Sequence, residues 1–95
     1  MIKLHDQIVC DNGDIYSVKP NYENNGFDYI LVKNDKTITE VKSWHLNDCY
    51  TYDEPFCYEN WCGDLKYTKI ISVYDYWNNL KYSKNENVRS KLIWH

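Results

Sequence analysis

The chain has 95 residues, a net charge of −3, 17% aromatic residues and no alanine. Its length predicts one domain, 1–95, with a small core, and neither end of the chain is charged enough to indicate a nucleic-acid binder or a DNA mimic. Since Tyr, Thr, Val and Ile favour strands and the best helix former is missing, the composition predicts a mainly β fold. The first ten residues hold no apolar run long enough for a signal peptide or a membrane span. We therefore expect a cytoplasmic protein with reduced cysteines and no membrane association.

The first predicted element is a β-hairpin. Residues 8–10 and 15–18 are rich in β-branched side chains, and Asp, Asn and Gly separate them. Asn12 and Gly13 both tolerate positive φ, which predicts a tight two-residue turn. Pro20 then ends the second strand.

The middle of the chain predicts two further strands and then an irregular segment. Residues 27–33 and 37–42 are the strands, and 34–36 form the turn between them. Residues 43–66 show no clean periodicity and contain Pro55 and Gly63. We therefore expect an ordered but irregular excursion there, with about one helical turn.

The last third predicts two more strands around a polar connection. Residues 67–76 alternate apolar and polar side chains, residues 77–87 are polar, and residues 88–94 form the closing strand. Five or six short strands joined by hairpins favour a small antiparallel barrel or a strongly bent sheet.

The two closing segments also carry a family resemblance. With the opening hairpin at 9–18, Lys-Ile-Ile-Ser-Val-Tyr-Asp at 69–75 and Lys-Leu-Ile-Trp at 91–94 resemble small accessory proteins of phages and prophages of low-GC bacteria. The resemblance implies an SH3-like barrel in a bacterial host cytosol. In the family the ending continues with Glu-Arg, whereas His95 ends this chain, and the cysteine-bearing excursion is extra to the shared pattern.

The excursion is the leading candidate site. Residues 46–65 carry five acids and no base, whereas residues 66–95 carry six bases and two acids. Exposed aromatic side chains resemble the residues that anchor protein interfaces. The carboxylates around them would favour a basic partner surface, such as one that ordinarily binds nucleic acid. The alternative is a ring cluster packed under the excursion beneath solvated acids. The candidate partner-binding residues are Tyr50, Tyr52, Asp53, Glu54, Phe56, Tyr58, Glu59, Trp61 and Asp64.

The implied setting and this surface together predict a non-enzymatic counter-defence protein that inhibits a bacterial immune component by stoichiometric binding. The runner-up is a protein that sequesters a nucleotide signal by charge pairing and stacking, as a homodimer or a larger assembly. Its candidate residues are Trp77, Lys81, Tyr82, Lys84, Arg89 and Lys91, although an ordinary solvated lysine face accounts for the same pattern. A structural or regulatory phage role is the third hypothesis.

The histidines and cysteines are the candidates for metal binding and for catalysis. His45, Cys49, Cys57 and Cys62 are suitable ligands for tetrahedral zinc, but no Cys-x2-Cys pair occurs, so buried thiols are the preferred interpretation. Cys10 is expected to be a strand residue. The acids near the other three cysteines would raise a thiol pKa, contrary to what a nucleophile needs. We therefore expect no cofactor and no catalytic residues.

Overall fold

The computed structural model describes residues 1–56 and 65–83. Within these ranges the strands are β1 (Gln7–Cys10), β2 (Ile15–Pro20), β3 (Tyr29–Lys33), β4 (Lys36–Val41), β5 (Ile70–Asp75) and β6 (Leu80–Ser83), and helix α1 is Ser43–Thr51. All strand pairs are antiparallel, in the order β4-β3-β2-β1-β5-β6.

The prediction of a mainly β fold is confirmed, in its bent-sheet form. Across the described ranges β4 and β6 stand at opposite ends of one sheet, which does not close into a barrel. The SH3-like barrel implied by the family resemblance is therefore wrong. Closure would require the two end strands to pair, and each is paired on one side only in these ranges.

The opening hairpin forms as predicted, but its turn is longer by one residue. The Cys10 N–H donates to the Asp14 carbonyl at 2.9 Å, and the Gly13 N–H donates to the Cys10 carbonyl at 2.9 Å. Gly13 has φ +91° while Asn12 is not in the positive-φ region. This pattern is a three-residue loop with glycine in the left-handed position. Only one residue of the Asn-Gly pair therefore needs positive φ.

Two parts of the secondary-structure prediction are wrong. The excursion begins with the nine-residue helix α1 rather than one helical turn. The polar connection 77–87 contains β6, which pairs with β5 from Ser72↔Ser83 to Asp75↔Leu80. All four β6 residues are exposed, so their sequence lacks the alternation that marks a strand with one buried face. The predicted closing strand, 88–94, lies outside the described residues.

Helix α1 starts without a capping side chain of its own. Its N-cap residue, Lys42, makes no side-chain cap hydrogen bond. Instead, Asp28 Oδ2 accepts the Ser43 backbone N–H at 2.8 Å from the loop before β3. A carboxylate at this end satisfies an unpaired N–H and complements the helix dipole. The cap depends on tertiary structure, which explains why no local start signal is visible in the sequence.

The core lies between α1 and one face of the sheet, called the inner face here. Leu46 and Cys49 of α1 are fully buried, together with side chains from strands β1 to β5 and from the segments next to the sheet. The buried apolar set is Ile2, Ile8, Cys10, Tyr16, Val18, Leu31, Val41, Leu46, Cys49, Phe56, Leu65, Ile70 and Val73. The opposite, outer face carries the side chains that alternate with these, among them Gln7, Ser17 and Tyr74.

Candidate functional site

Helix α1 places an aromatic and acidic face toward solvent. Trp44 and Asp48 are one helical turn apart and so lie on the same side of the helix. The face continues past the helix into Tyr52, Asp53 and Glu54, which are all exposed. Trp44 is 58% exposed and Tyr52 is 67% exposed. These five residues, Trp44, Asp48, Tyr52, Asp53 and Glu54, are called the acidic–aromatic surface.

The end of α1 fixes the position of the two terminal acids. Asp53 has φ +60°, and the Glu54 N–H donates to the Cys49 carbonyl at 3.2 Å. This is the Schellman arrangement, in which a left-handed residue follows the helix and the next N–H reaches back to the last turn. Asp53 takes the place usually held by glycine. The chain therefore turns sharply and presents both carboxylates beside the helix C-terminus.

The charges at this end oppose the helix dipole. The last turn of α1 contains no basic residue, and Asp48, Asp53 and Glu54 surround its negative end. Lys69 Nζ approaches Asp53 Oδ2 at 3.9 Å, an exposed pair of little energetic weight. In the described ranges no hydrogen bond or ion pair engages the carboxylates of Asp48 or Glu54. Carboxylates placed here destabilise the helix rather than support it.

These acids also act on a buried histidine. His45 is buried on the side of α1 that faces the sheet. Burial lowers its pKa, and the negative charges of Asp48 and Glu54 oppose that effect. The field of the acidic–aromatic surface therefore reaches the interior of the protein.

The structure separates the residues predicted for the partner-binding site. Tyr52, Asp53 and Glu54 are exposed as predicted, and Tyr50 is half-buried against the core. Phe56 was predicted to anchor a partner, and this is wrong, because the ring is 1% exposed within the core. The Phe56 backbone N–H also donates to the Thr68 carbonyl at 3.0 Å, which fixes the segment there. Tyr58, Glu59, Trp61 and Asp64 lie outside the described residues.

Sequence reasoning missed Trp44 and Asp48. Their signal is the i, i+4 spacing, which continues to Thr51 at i+7 and describes one side of a helix. The spacing is hard to detect because the residues around it, 43–66, show no clean periodicity and include Pro55 and Gly63.

Two of the four candidate zinc ligands, and Cys10, lie in the described ranges. Zinc candidates His45 and Cys49 are four residues apart and buried on one side of α1, while Cys57 and Cys62 lie outside the described residues. Among the residues that the structure does describe, no group of three or more His, Cys, Asp or Glu could hold a metal ion. Cys10 is a buried strand residue as predicted, and burial, with Asp11 and Asp14 nearby, raises its pKa to about 12.

The three described residues of the predicted nucleotide site lie apart from one another. Lys81 pairs with Tyr74 and so faces the outer side of the sheet, whereas Tyr82 pairs with Val73 and faces the inner side. Trp77 lies in the β5–β6 turn, where its indole N–H donates to the Leu4 carbonyl at 2.9 Å. Lys84, Arg89 and Lys91 lie outside the described residues. The three residues that can be located therefore do not form one pocket.

A network of carboxylates holds the β5–β6 turn. Asp75 Oδ1 accepts the backbone N–H groups of Trp77 and Asn78, and Asp75 Oδ2 accepts Lys3 Nζ at 3.0 Å. Asp6, fully buried, accepts the Tyr76 N–H at 3.0 Å through Oδ1 and the Lys3 N–H through Oδ2. These carboxylates have partners within the protein, which indicates a structural role rather than acid–base catalysis.

Comparison of the chain with protein-family models, with curated proteins and with solved structures gives no match. In the part of the chain that the structure covers, no helix is both long enough and apolar enough to cross a bilayer.

Proposed function

We propose that this protein acts without catalysis, by binding one copy of a protein partner through the acidic–aromatic surface. The observation that carries the proposal is the set of three carboxylates at the C-terminal end of α1. They stand where the helix dipole disfavours negative charge, beside two exposed rings. Residues that break a local rule of stability are expected at functional sites.

The acids favour a basic partner surface. Because Asp48 and Glu54 are not neutralised within the described ranges, their field is available to an approaching protein. Complementary charge accelerates encounter and selects the partner more than it adds to affinity. A surface that normally binds nucleic acid offers the required cluster of Lys and Arg.

The rings supply the anchoring contacts. Tyr and Trp are enriched among residues that dominate binding energy, since they bury a large area at a small cost in side-chain entropy. Trp44 is steadied by an edge-on contact with the His45 ring, with centroids 5.5 Å apart. A contact of this kind restricts the indole, and a side chain that is restricted before binding loses less entropy when a partner covers it.

The resemblance to phage accessory proteins supports a more specific role. Within that setting, we propose that the partner is a component of a bacterial defence system and that occupying its basic surface inhibits it. The kind of partner is inferred from the resemblance to phage proteins, whereas the binding surface is inferred from the geometry of α1.

The test uses the intact protein as bait in a lysate of a low-GC bacterium. A protein that it retains is purified and titrated with it by calorimetry, and we expect one-to-one binding that weakens as salt is raised. We expect Trp44→Ala, and separately the triple change Asp48→Asn, Asp53→Asn and Glu54→Gln, to raise Kd at least tenfold. Asparagine suits position 53 because it tolerates positive φ.

Matched controls come from exposed residues on other elements. Tyr22 is 90% exposed, and Glu23 and Asp35 are exposed acids, so Tyr22→Ala and the pair Glu23→Gln with Asp35→Asn remove the same kinds of group elsewhere. These variants should bind like the parent. Equal losses in the control and test variants, or no loss in either, would contradict the proposed surface.

A further inference from the structure

A groove crosses the outer face of the sheet, on the side opposite α1. Its volume is about 360 Å³, and it is lined by His5, Gln7, Ser17, Lys19, Tyr74 and Tyr76. The strand register places Gln7 between Ser17 of β2 and Tyr74 of β5, so the groove spans the three central strands. This volume lies at the small end of the range for ligand pockets, about 300–1,000 Å³.

The rings at one end of the groove are held in place. His5 has φ +72°, an uncommon conformation for a non-glycine residue, and its N–H donates to the Val18 carbonyl at 2.7 Å. Its ring lies 5.5 Å from that of Tyr76 and 5.8 Å from that of Trp77. Tyr76 and Trp77 meet edge to face, with their centroids 5.0 Å apart.

Hydrogen bonds of the backbone and side chains add to this order. Buried Asp6 accepts the backbone N–H of Tyr76, which fixes the residue at the mouth of the turn. The Tyr74 hydroxyl donates to Asn79 Oδ1, which orients the second phenol ring. The Tyr76 side chain is nevertheless 54% exposed, so its ring can accept a stacked partner.

The charge of the lining is positive although the chain as a whole is acidic. Among the described residues, Lys19 and His5 line the groove, and neither Asp nor Glu does. Lys81 lies directly across from Tyr74 in the β5–β6 pair and extends on the same face. A negative group entering the groove would therefore meet ammonium and imidazole groups, with Gln7 and Ser17 as neutral hydrogen-bonding neighbours.

We propose that this groove binds a small ligand composed of a planar ring and an anionic group, as in a nucleoside monophosphate. The ring stacks on Tyr76, and the anion pairs with Lys19 beside His5. The site is independent of the acidic–aromatic surface, which lies on the opposite side of the sheet. It also differs from the predicted nucleotide site, because its lining comes from His5, from β1, β2 and β5, and from Tyr76 in the β5–β6 turn.

The probe is AMP, with adenosine and inorganic phosphate as separate arms. We expect saturable one-to-one AMP binding by calorimetry, and amide shifts at His5, Lys19 and Tyr76 in the NMR spectrum. Adenosine alone and phosphate alone should each bind at least tenfold more weakly than AMP. Lys19→Gln and Tyr76→Ala should each weaken AMP binding at least tenfold, while their unfolding midpoints verify the fold.

Controls distinguish this site from general charge and from the protein interface. Lys36→Gln and Tyr22→Ala remove an exposed lysine and an exposed ring elsewhere and should leave AMP binding unchanged. The triple variant of the acidic–aromatic surface should also bind AMP normally. Absence of groove shifts at millimolar AMP, equal weakening by the controls, or tenfold tighter binding of a deca-adenylate strand than of AMP would overturn the proposal.

Discussion

The β5–β6 turn and the C-terminal end of α1 use similar residues in opposite ways. Each presents exposed aromatic rings next to carboxylates at a place where the chain reverses direction. In the turn, Asp75 accepts two backbone N–H groups, the Asn78 amide and the Lys3 ammonium group. At the helix end, Asp48 lies in the last turn of α1 and Glu54 shortly after it, where the helix dipole disfavours negative charge.

The difference separates acids that build the fold from acids that remain available to a partner. Burial alone would raise the pKa of Asp75, but hydrogen bonds from Asn78 and Lys3, together with the Lys3 charge, lower it to about 2. A lowered carboxylate pKa means that ionised Asp75 stabilises the folded state. In the described ranges no such bond engages the carboxylates of Asp48 or Glu54, which is why the proposed function rests on this end of the helix.

The largest effect is expected at the turn. Asp75→Asn removes the nearer of the two carboxylates that Lys3 Nζ contacts, since Asp6 Oδ2 remains at 3.5 Å. It also weakens the bonds to the turn N–H groups, so we expect a loss of about 2–4 kcal/mol in the free energy of unfolding. Urea titration at pH 7 measures it directly. The control is the double change Asp48→Asn with Glu54→Gln, which removes two carboxylates without breaking such bonds.

The stabilisation that Asp75 provides should depend on pH, in a direction that its lowered pKa determines. Its folded pKa of about 2 lies below the unfolded value of about 3.9. Its stabilisation is therefore complete above about pH 4 and is lost as the pH falls toward 2. The stability difference between the parent and Asp75→Asn should shrink over that interval. A difference that stays constant with pH would show that Asp75 acts through packing rather than through its charge.

A smaller effect of opposite sign is expected at the helix. Asp48→Asn with Glu54→Gln removes two negative charges from the negative end of α1, and each such charge costs about 0.3–1 kcal/mol at low ionic strength. The double variant should therefore be more stable than the parent by about 1 kcal/mol in low salt, with the gain reduced in high salt. Lower stability in the variant would mean that these acids support the fold, which would remove the main argument for the binding surface.

Some elements of this fold can be predicted from the sequence and others cannot. Strands β1 to β5 could be predicted because β-branched and aromatic residues are concentrated in them and recognisable turns, such as the one at Gly13, separate several of them. Helix α1 could not, since Asp28 caps it from a distant loop. The burial of Phe56 also depends on tertiary structure, through its bond to Thr68.

The candidate sites also differ in whether the sequence predicts them. Tyr52, Asp53 and Glu54 are neighbours in the sequence and could be selected by composition alone. The outer groove could not be predicted, because its residues come from segments that only the sheet register brings together. Asp75 shows no motif either, since its partner Lys3 is 72 positions away.

The smallest expected effect is on the titration of His45, and it tests the field of the helix end most directly. Asp48 and Glu54 raise a pKa that burial lowers, so neutralising both should lower the pKa of His45 further. Because the folded pKa already lies below the usual 6.5, protonation opposes folding as the pH falls below that value, and the variant should lose its stability gain there. NMR titration of the His45 ring measures the shift, with Asp35→Asn as a matched change on the β3–β4 turn. An unchanged His45 pKa would indicate that solvent screens the two acids completely, in which case they could not steer a basic partner either.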